Sequence, residues 1–155
     1  MRIVFVIGPA FSGKSMYVNR NFLFAKNITI KKFADIAEVA DTNEELEELA
    51  RNAQEYCREA LINSIESAKE EDTIVLEHPL LHKDEREYFI QAIRKVTDAP
   101  IDCYLMSPDE ETAKKLTINQ PSLLSIYHFD KQQLEEPTVD EGFNTVTIVP
   151  YEFID

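Results

Sequence analysis

The chain has 155 residues and a mass of 17.9 kDa, a size that fits one domain, here expected to span residues 1–155. Hydrophobic residues make up 44%, enough to bury a core, which excludes wholesale disorder. Three glycines and no tryptophan exclude a collagen-like or glycine-rich chain, and a net charge of −13 opposes long-range attraction to nucleic acid and anionic membranes.

The charge is unevenly placed. Residues 1–34 hold Arg2, Lys14, Arg20, Lys26, Lys31 and Lys32 and no acid. A basic end on an acidic chain points to a local anion site there. Cys57 and Cys103 lie far apart, each in an apolar stretch and without a partner at zinc spacing, so both read as buried free thiols. No apolar run reaches the roughly 18 residues of a membrane span, and Ile3–Ile7 is too short for a signal peptide. These features place the chain in a reducing, cytoplasmic setting without a membrane partner.

In chain order, Ile3–Ile7 is a continuous β-branched and aromatic run, as in a strand buried on both faces. Gly8–Gly13 breaks it, and a helix is expected from Lys14 to about Phe24. A second strand fits Ile28–Phe33. From Asp41 to Glu71, apolar residues recur at spacings of three and four, with Thr42 and Glu45 at capping-box spacing. The Glu-rich opposite face reads as solvated. Thr73–Leu76 is a third strand, ending at Glu77; a helix fits Asp84–Val96, and Ile101–Met106 is a fourth strand. Ser107-Pro108-Asp109-Glu110 reads as a helix start with Ser107 as N-cap, the helix running to about Leu116. Residues 117–142 are polar, with one short apolar stretch from Leu123 to Phe129, and Thr145–Val149 is a last strand. Strands alternating with helices imply an α/β fold: a five-stranded parallel sheet with helices on both faces, in three layers.

Gly8-Pro-Ala-Phe-Ser-Gly13-Lys14-Ser15 matches G-x-x-x-x-G-K-[ST] at every fixed position, after a buried strand and before a helix. The glycines let successive backbone N–H groups turn inward toward a phosphate. The helix N-terminus adds partial positive charge. Lys14 suits the β- and γ-phosphates, and the Ser15 hydroxyl suits Mg²⁺. Gly8, Ser12, Gly13, Lys14, Ser15 and Met16 are thus the expected cofactor-binding set for ATP. The motif names the three-layer P-loop NTPase fold and leaves the phosphoryl acceptor open. A second acid is needed near the metal, at the end of an apolar strand: Glu77 is the first choice. Asp35, after the second strand, is the candidate to take a proton from an attacking hydroxyl. His78 and His82 flank Pro79-Leu80-Leu81 without an evident third metal ligand and read as edge or surface residues.

The P-loop, Asp35, Glu77 and Arg86 follow one another as in P-loop kinases. The stretch Phe129-Asp-Lys-Gln-Gln-Leu-Glu-Glu-Pro137-Thr138-Val-Asp-Glu141-Gly142-Phe143 resembles the closing segment of the polynucleotide kinase-like family, which includes small zeta-toxin-like kinases. The resemblance implies Lys14 and Ser15 as phosphate and magnesium ligands, Asp35 as the catalytic base, and residues 117–137 as a lid over the ATP phosphates. Three positions depart from the family. Glu38 stands where an arginine is common, Glu77-His78-Pro79 replaces an Asp-x-Thr pattern, and Arg94 is the last arginine, so the lid segment has none. Two functions follow. One is an ATP·Mg²⁺-dependent kinase acting on a hydroxyl, either a nucleic-acid 5′-hydroxyl or a small metabolite. The other is an ATP-binding module with little or no transferase activity, serving as a sensor or partner-binding protein.

Overall fold

A computed structural model of the chain describes residues 1–29 and 40–150. β1 (Arg2–Ile7) forms the centre of a parallel sheet. β2 (Lys26–Thr29), β3 (Thr73–Glu77), β4 (Ile101–Met106) and β5 (Thr145–Val149) complete it in the order β2-β3-β1-β4-β5. Ile3 pairs with Ile74 on one side and Ile101 on the other. Residues Ile3 to Ile7 are all fully buried. The unbroken apolar run reflects that position: a central parallel strand meets helices on both faces.

The helices divide between the two faces. α1 (Lys14–Asn21) packs Val18 with Val4, Val6, Val75 and Met106. α2 (Asn43–Glu66) and α3 (Lys83–Arg94) cover the other face, where Cys57, Leu61 and Ile65 meet Phe5, Leu76, Phe89 and Ile93. The alternation along β3 decides the assignment, since Ile74 and Leu76 join one cluster and Val75 the other. Both cysteines are free and buried in the larger cluster, and burial pushes the Cys57 thiol up to about 11 and the Cys103 thiol up to about 12.

Several boundaries move from the sequence expectation. α1 ends at Asn21 rather than near Phe24, because Phe22 leaves helical geometry and a tight turn brings Ala25 N–H to Phe22 O. β2 accordingly begins at Lys26, two residues before Ile28. α2 stops at Glu66; Asp72 accepts the Lys69 N–H and shapes the turn into β3. α4 (Glu110–Leu116) starts later than Ser107 suggested: Asp109 is the N-cap, accepting from Thr112 N–H at 2.7 Å, and Pro108 lies outside the helix. Within the polar 117–142 segment, α5 (Leu123–Gln133) forms and buries only Tyr127, whose hydroxyl donates to Pro108 O at 3.1 Å.

The family-like closing segment is a structural clamp. Thr138 and Glu141 make a capping box around a 3₁₀ turn (Val139–Glu141). Glu141 also accepts from the buried Arg86 guanidinium, at 2.7 Å from Nε and 3.3 Å from Nη2. Gly142, at φ +120°, lies where an added Cβ would come within 3.0 Å of Ile90 Cγ2. Phe143 then sets its ring edge-on to Phe5 at 5.5 Å.

Candidate phosphate-binding site

The loop from Gly8 to Gly13 leaves the C-terminal end of β1, at the sheet position where the connections diverge to opposite sides. It is tied down at its start: Gly8 N–H donates to Pro79 O, and His78 N–H donates to Val6 O. Gly8 has φ +142°, and a Cβ there would lie 2.9 Å from Met106 O, so the turn excludes a side chain. Phe11 also holds positive φ, at 62°, the strain expected where a loop wraps tightly. Gly13, at φ +93°, is the N-cap of α1. No side chain caps this helix and no acid lies in its first turn, so its first N–H groups face an open end that favours an anion.

The side chains agree with that backbone. Lys14 Nζ folds back to donate to Gly8 O at 2.9 Å and Pro9 O at 2.8 Å. Burial pushes its ammonium down to about 8, against the opposing pull of the Glu77 and Asp130 carboxylates. Ser15 Oγ donates to Glu77 Oε2 at 2.7 Å, and Asn27 Nδ2 donates to the other oxygen, Oε1, at 3.1 Å. A hydroxyl and a carboxylate side by side are hard oxygen donors that suit Mg²⁺. Ser12 is fully buried in the loop, and its Oγ has no hydrogen-bond partner among the described residues. A buried hydroxyl without a partner and a turn that admits no Cβ fit a loop built to receive oxygen-rich anionic groups.

Of the residues singled out in the sequence, Gly8, Ser12, Gly13, Lys14, Ser15 and Glu77 therefore come together, and Met16 stands half-exposed on the first turn of α1. Asp35 and Glu38 lie outside the described residues. Arg86 does not face the loop, being fully buried against Glu141 and Leu80 O. His78 is buried beside Phe89 rather than at the surface, accepting from Leu80 N–H through Nδ1, while its Nε2 has no hydrogen-bond partner among the described residues. Burial and the Lys14 charge push it down to about 3, so the ring is neutral. His82 pairs with Glu135 on the surface. No group of three or more metal-ligating side chains occurs among the described residues.

Two participants escape sequence reasoning. Asn27 orients Glu77 from the neighbouring strand, a contact visible only once β2 is placed beside β3. Asp130, on α5, accepts from Ala10 N–H at 2.8 Å. It is separated from the loop by more than a hundred residues, and no motif marks it.

Three solved structures share this architecture along nearly the whole chain. One from Chloroflexus aurantiacus J-10-fl superposes with a TM-score of 0.69 at 9% identity, covering 96% of this chain and 84% of that one. The fold is that of P-loop kinases. A sugar kinase from Janibacter sp. HTCC2649 gives 0.61 at 15% identity, over 97% and 85% of the two chains. Chaetomium thermophilum Kti12, solved in complex with ADP-AlF₃, gives 0.60 at 16% identity, over 97% and 89%. No protein-family model and no curated protein sequence matches the chain. Likeness at this level extends to the fold, and not to the polynucleotide kinase-like family in particular. Among the described residues, no helix is long and apolar enough to cross a membrane.

Proposed function

We propose that this protein binds ATP·Mg²⁺ through the Gly8–Ser15 loop and transfers the γ-phosphoryl group to a hydroxyl acceptor. The carrying observation is the loop itself: a glycine turn closed to side chains, an uncapped helix start, Lys14 beneath it and Ser15 joined to Glu77 at 2.7 Å. The Kti12 structure, with ADP-AlF₃ bound on the same fold, supports the reading.

The nucleotide would bring the transferable phosphoryl group, and the metal would bring charge neutralisation. Gly8, Ser12, Gly13 and Met16 shape and border the cradle, with backbone N–H groups and the Ser12 hydroxyl as donors. Lys14 exchanges its two carbonyl partners for phosphate oxygens. Ser15 and Glu77 hold the metal directly or through water, and Asn27 keeps the Glu77 carboxylate oriented. Asp35 takes the acceptor proton. The acceptor is a small metabolite or a short nucleic acid, the net charge of −13 being unfavourable to a long polyanion.

One observation favours a second reading, a nucleotide-binding module with little transfer. Phosphoryl transfer in this fold gains roughly 10³–10⁵ from an arginine at the transferring group. Arg86 is held by Glu141, Arg94 donates to Ala99 O, and α5 offers the loop a carboxylate instead. Incubation with labelled ATP, magnesium and a panel of acceptors, from 5′-hydroxyl oligonucleotides to nucleosides and sugars, separates the two. Acceptor-dependent transfer, lost in Asp35→Asn, supports the kinase. Tight ATP binding without transfer to any acceptor supports the module.

A further inference from the structure

The Asp130 carboxylate is the one acidic group of α5 that reaches the loop, and the contact lies at the site proposed for phosphate. Its Oδ2 accepts the Ala10 N–H at 2.8 Å, in the manner of a phosphate oxygen. Its charge also acts on Lys14, which already carries the influence of Glu77. A polyphosphate entering the same cradle would meet a second anion competing for the same donors.

The element that presents Asp130 is lightly held. Tyr127 is the only buried residue of α5. Beyond it, α5 is tied to α4 by the exposed His128–Glu110 pair, and the chain just after it by Leu134 on the larger cluster and by Glu135 N–H donating to Leu81 O. Ile126 and Phe129, three apart and so neighbours on one face of the helix, remain 47% and 63% exposed. A helix that fully buries one side chain and leaves two large apolar ones in solvent can shift at smaller cost than one packed along a whole face.

Resting on the nucleotide-binding reading, we propose that Asp130 is a specificity-determining latch: it fills the phosphate cradle of the empty protein and must be displaced by an incoming polyphosphate. The latch discriminates by charge at the phosphate end and leaves recognition of the base untouched. It also gives a role to an acid in contact with the loop, where a cation would be expected to greet the nucleotide. Displacement moves α5 about its Tyr127 anchor, frees the Ala10 N–H and takes one negative charge away from Lys14.

Calorimetric titration with Mg·ATP and with inorganic tripolyphosphate tests this on wild type, Asp130→Asn, Asp130→Ala and Lys14→Ala, with Glu136→Gln as a control for general charge. Both Asp130 variants are expected to bind each ligand about tenfold tighter or more, with Glu136→Gln close to wild type. The Ala10 amide resonance should differ between empty wild type and Asp130→Ala, and should move when Mg·ATP is added to wild type. If wild type binds ATP and neither Asp130 variant binds it more tightly, or Glu136→Gln gains as much, the latch is overturned while the nucleotide reading stands. An Ala10 resonance identical in empty wild type and Asp130→Ala also overturns it, without requiring affinity data. If wild type and both Asp130 variants fail to bind ATP, the reading of the site falls and the latch with it.

Discussion

Lys14 has one structural environment and two electrostatic demands. Burial lowers its affinity for a proton to about 8, while the acids around it favour the charge. The group is therefore charged below pH 8 and increasingly neutral above it. A bound triphosphate would restore the charge, so binding above pH 8 takes up a proton. ATP affinity should fall about tenfold per pH unit above 8, a slope checked by calorimetry in buffers of different ionisation enthalpy. Affinity constant from pH 7 to 9.5 would contradict this. In the folding equilibrium the sign is reversed: the unfolded chain holds this proton more tightly, so the Lys14 contribution to stability improves as pH rises from about 8 toward the ordinary lysine range. The loop residues were legible from the sequence because their spacing encodes one backbone shape. Asp130 and Asn27 were not, because their positions depend on which elements the fold brings alongside the loop.

At the scale of the elements, the three central strands β3, β1 and β4 were the most legible part, since a strand buried on both faces needs a nearly unbroken apolar run. Helix termini were less so, and α4 shows why. Ser107-Pro108 offers a familiar opening, but Ser107 N–H bonds Val149 O, which extends the sheet contact, and the chain turns helical only after Asp109. The bonds that Asp109 accepts at the helix start hold its carboxyl below the usual carboxylate range. A depressed acid stabilises the fold above its unfolded pKa, and that contribution is lost as pH falls through its folded pKa. Asp109→Ala should accordingly lower the melting temperature more than Ser107→Ala at pH 7, and the gap should close on acidification, read by thermal unfolding at several pH values. Equal effects at pH 7 would return the cap to Ser107. α5 was legible only as a short apolar stretch, because a helix that buries one side chain leaves a weak periodic signal.

Across the whole molecule, the division of helices between the two faces of the sheet follows from alternation along β3, and the central place of β1 from its continuous burial. What the sequence left open was the purpose of the closing segment. Arg86 and Glu141 form an ion pair with side chains 0% and 3% exposed, joining α3 to the turn before β5. Breaking it from one side strands a charge in the interior, so Arg86→Met and Glu141→Gln should each destabilise by about 3–5 kcal/mol. The double variant should lose less than the sum of the two, which denaturant titration measures. Strict additivity would show that the two residues act independently. This pair, the Gly142 turn and Phe143 serve one clamp, which contributes no side chain to the phosphate cradle. A pattern drawn from that segment therefore records how the chain is fastened together and carries no information about what the cradle receives.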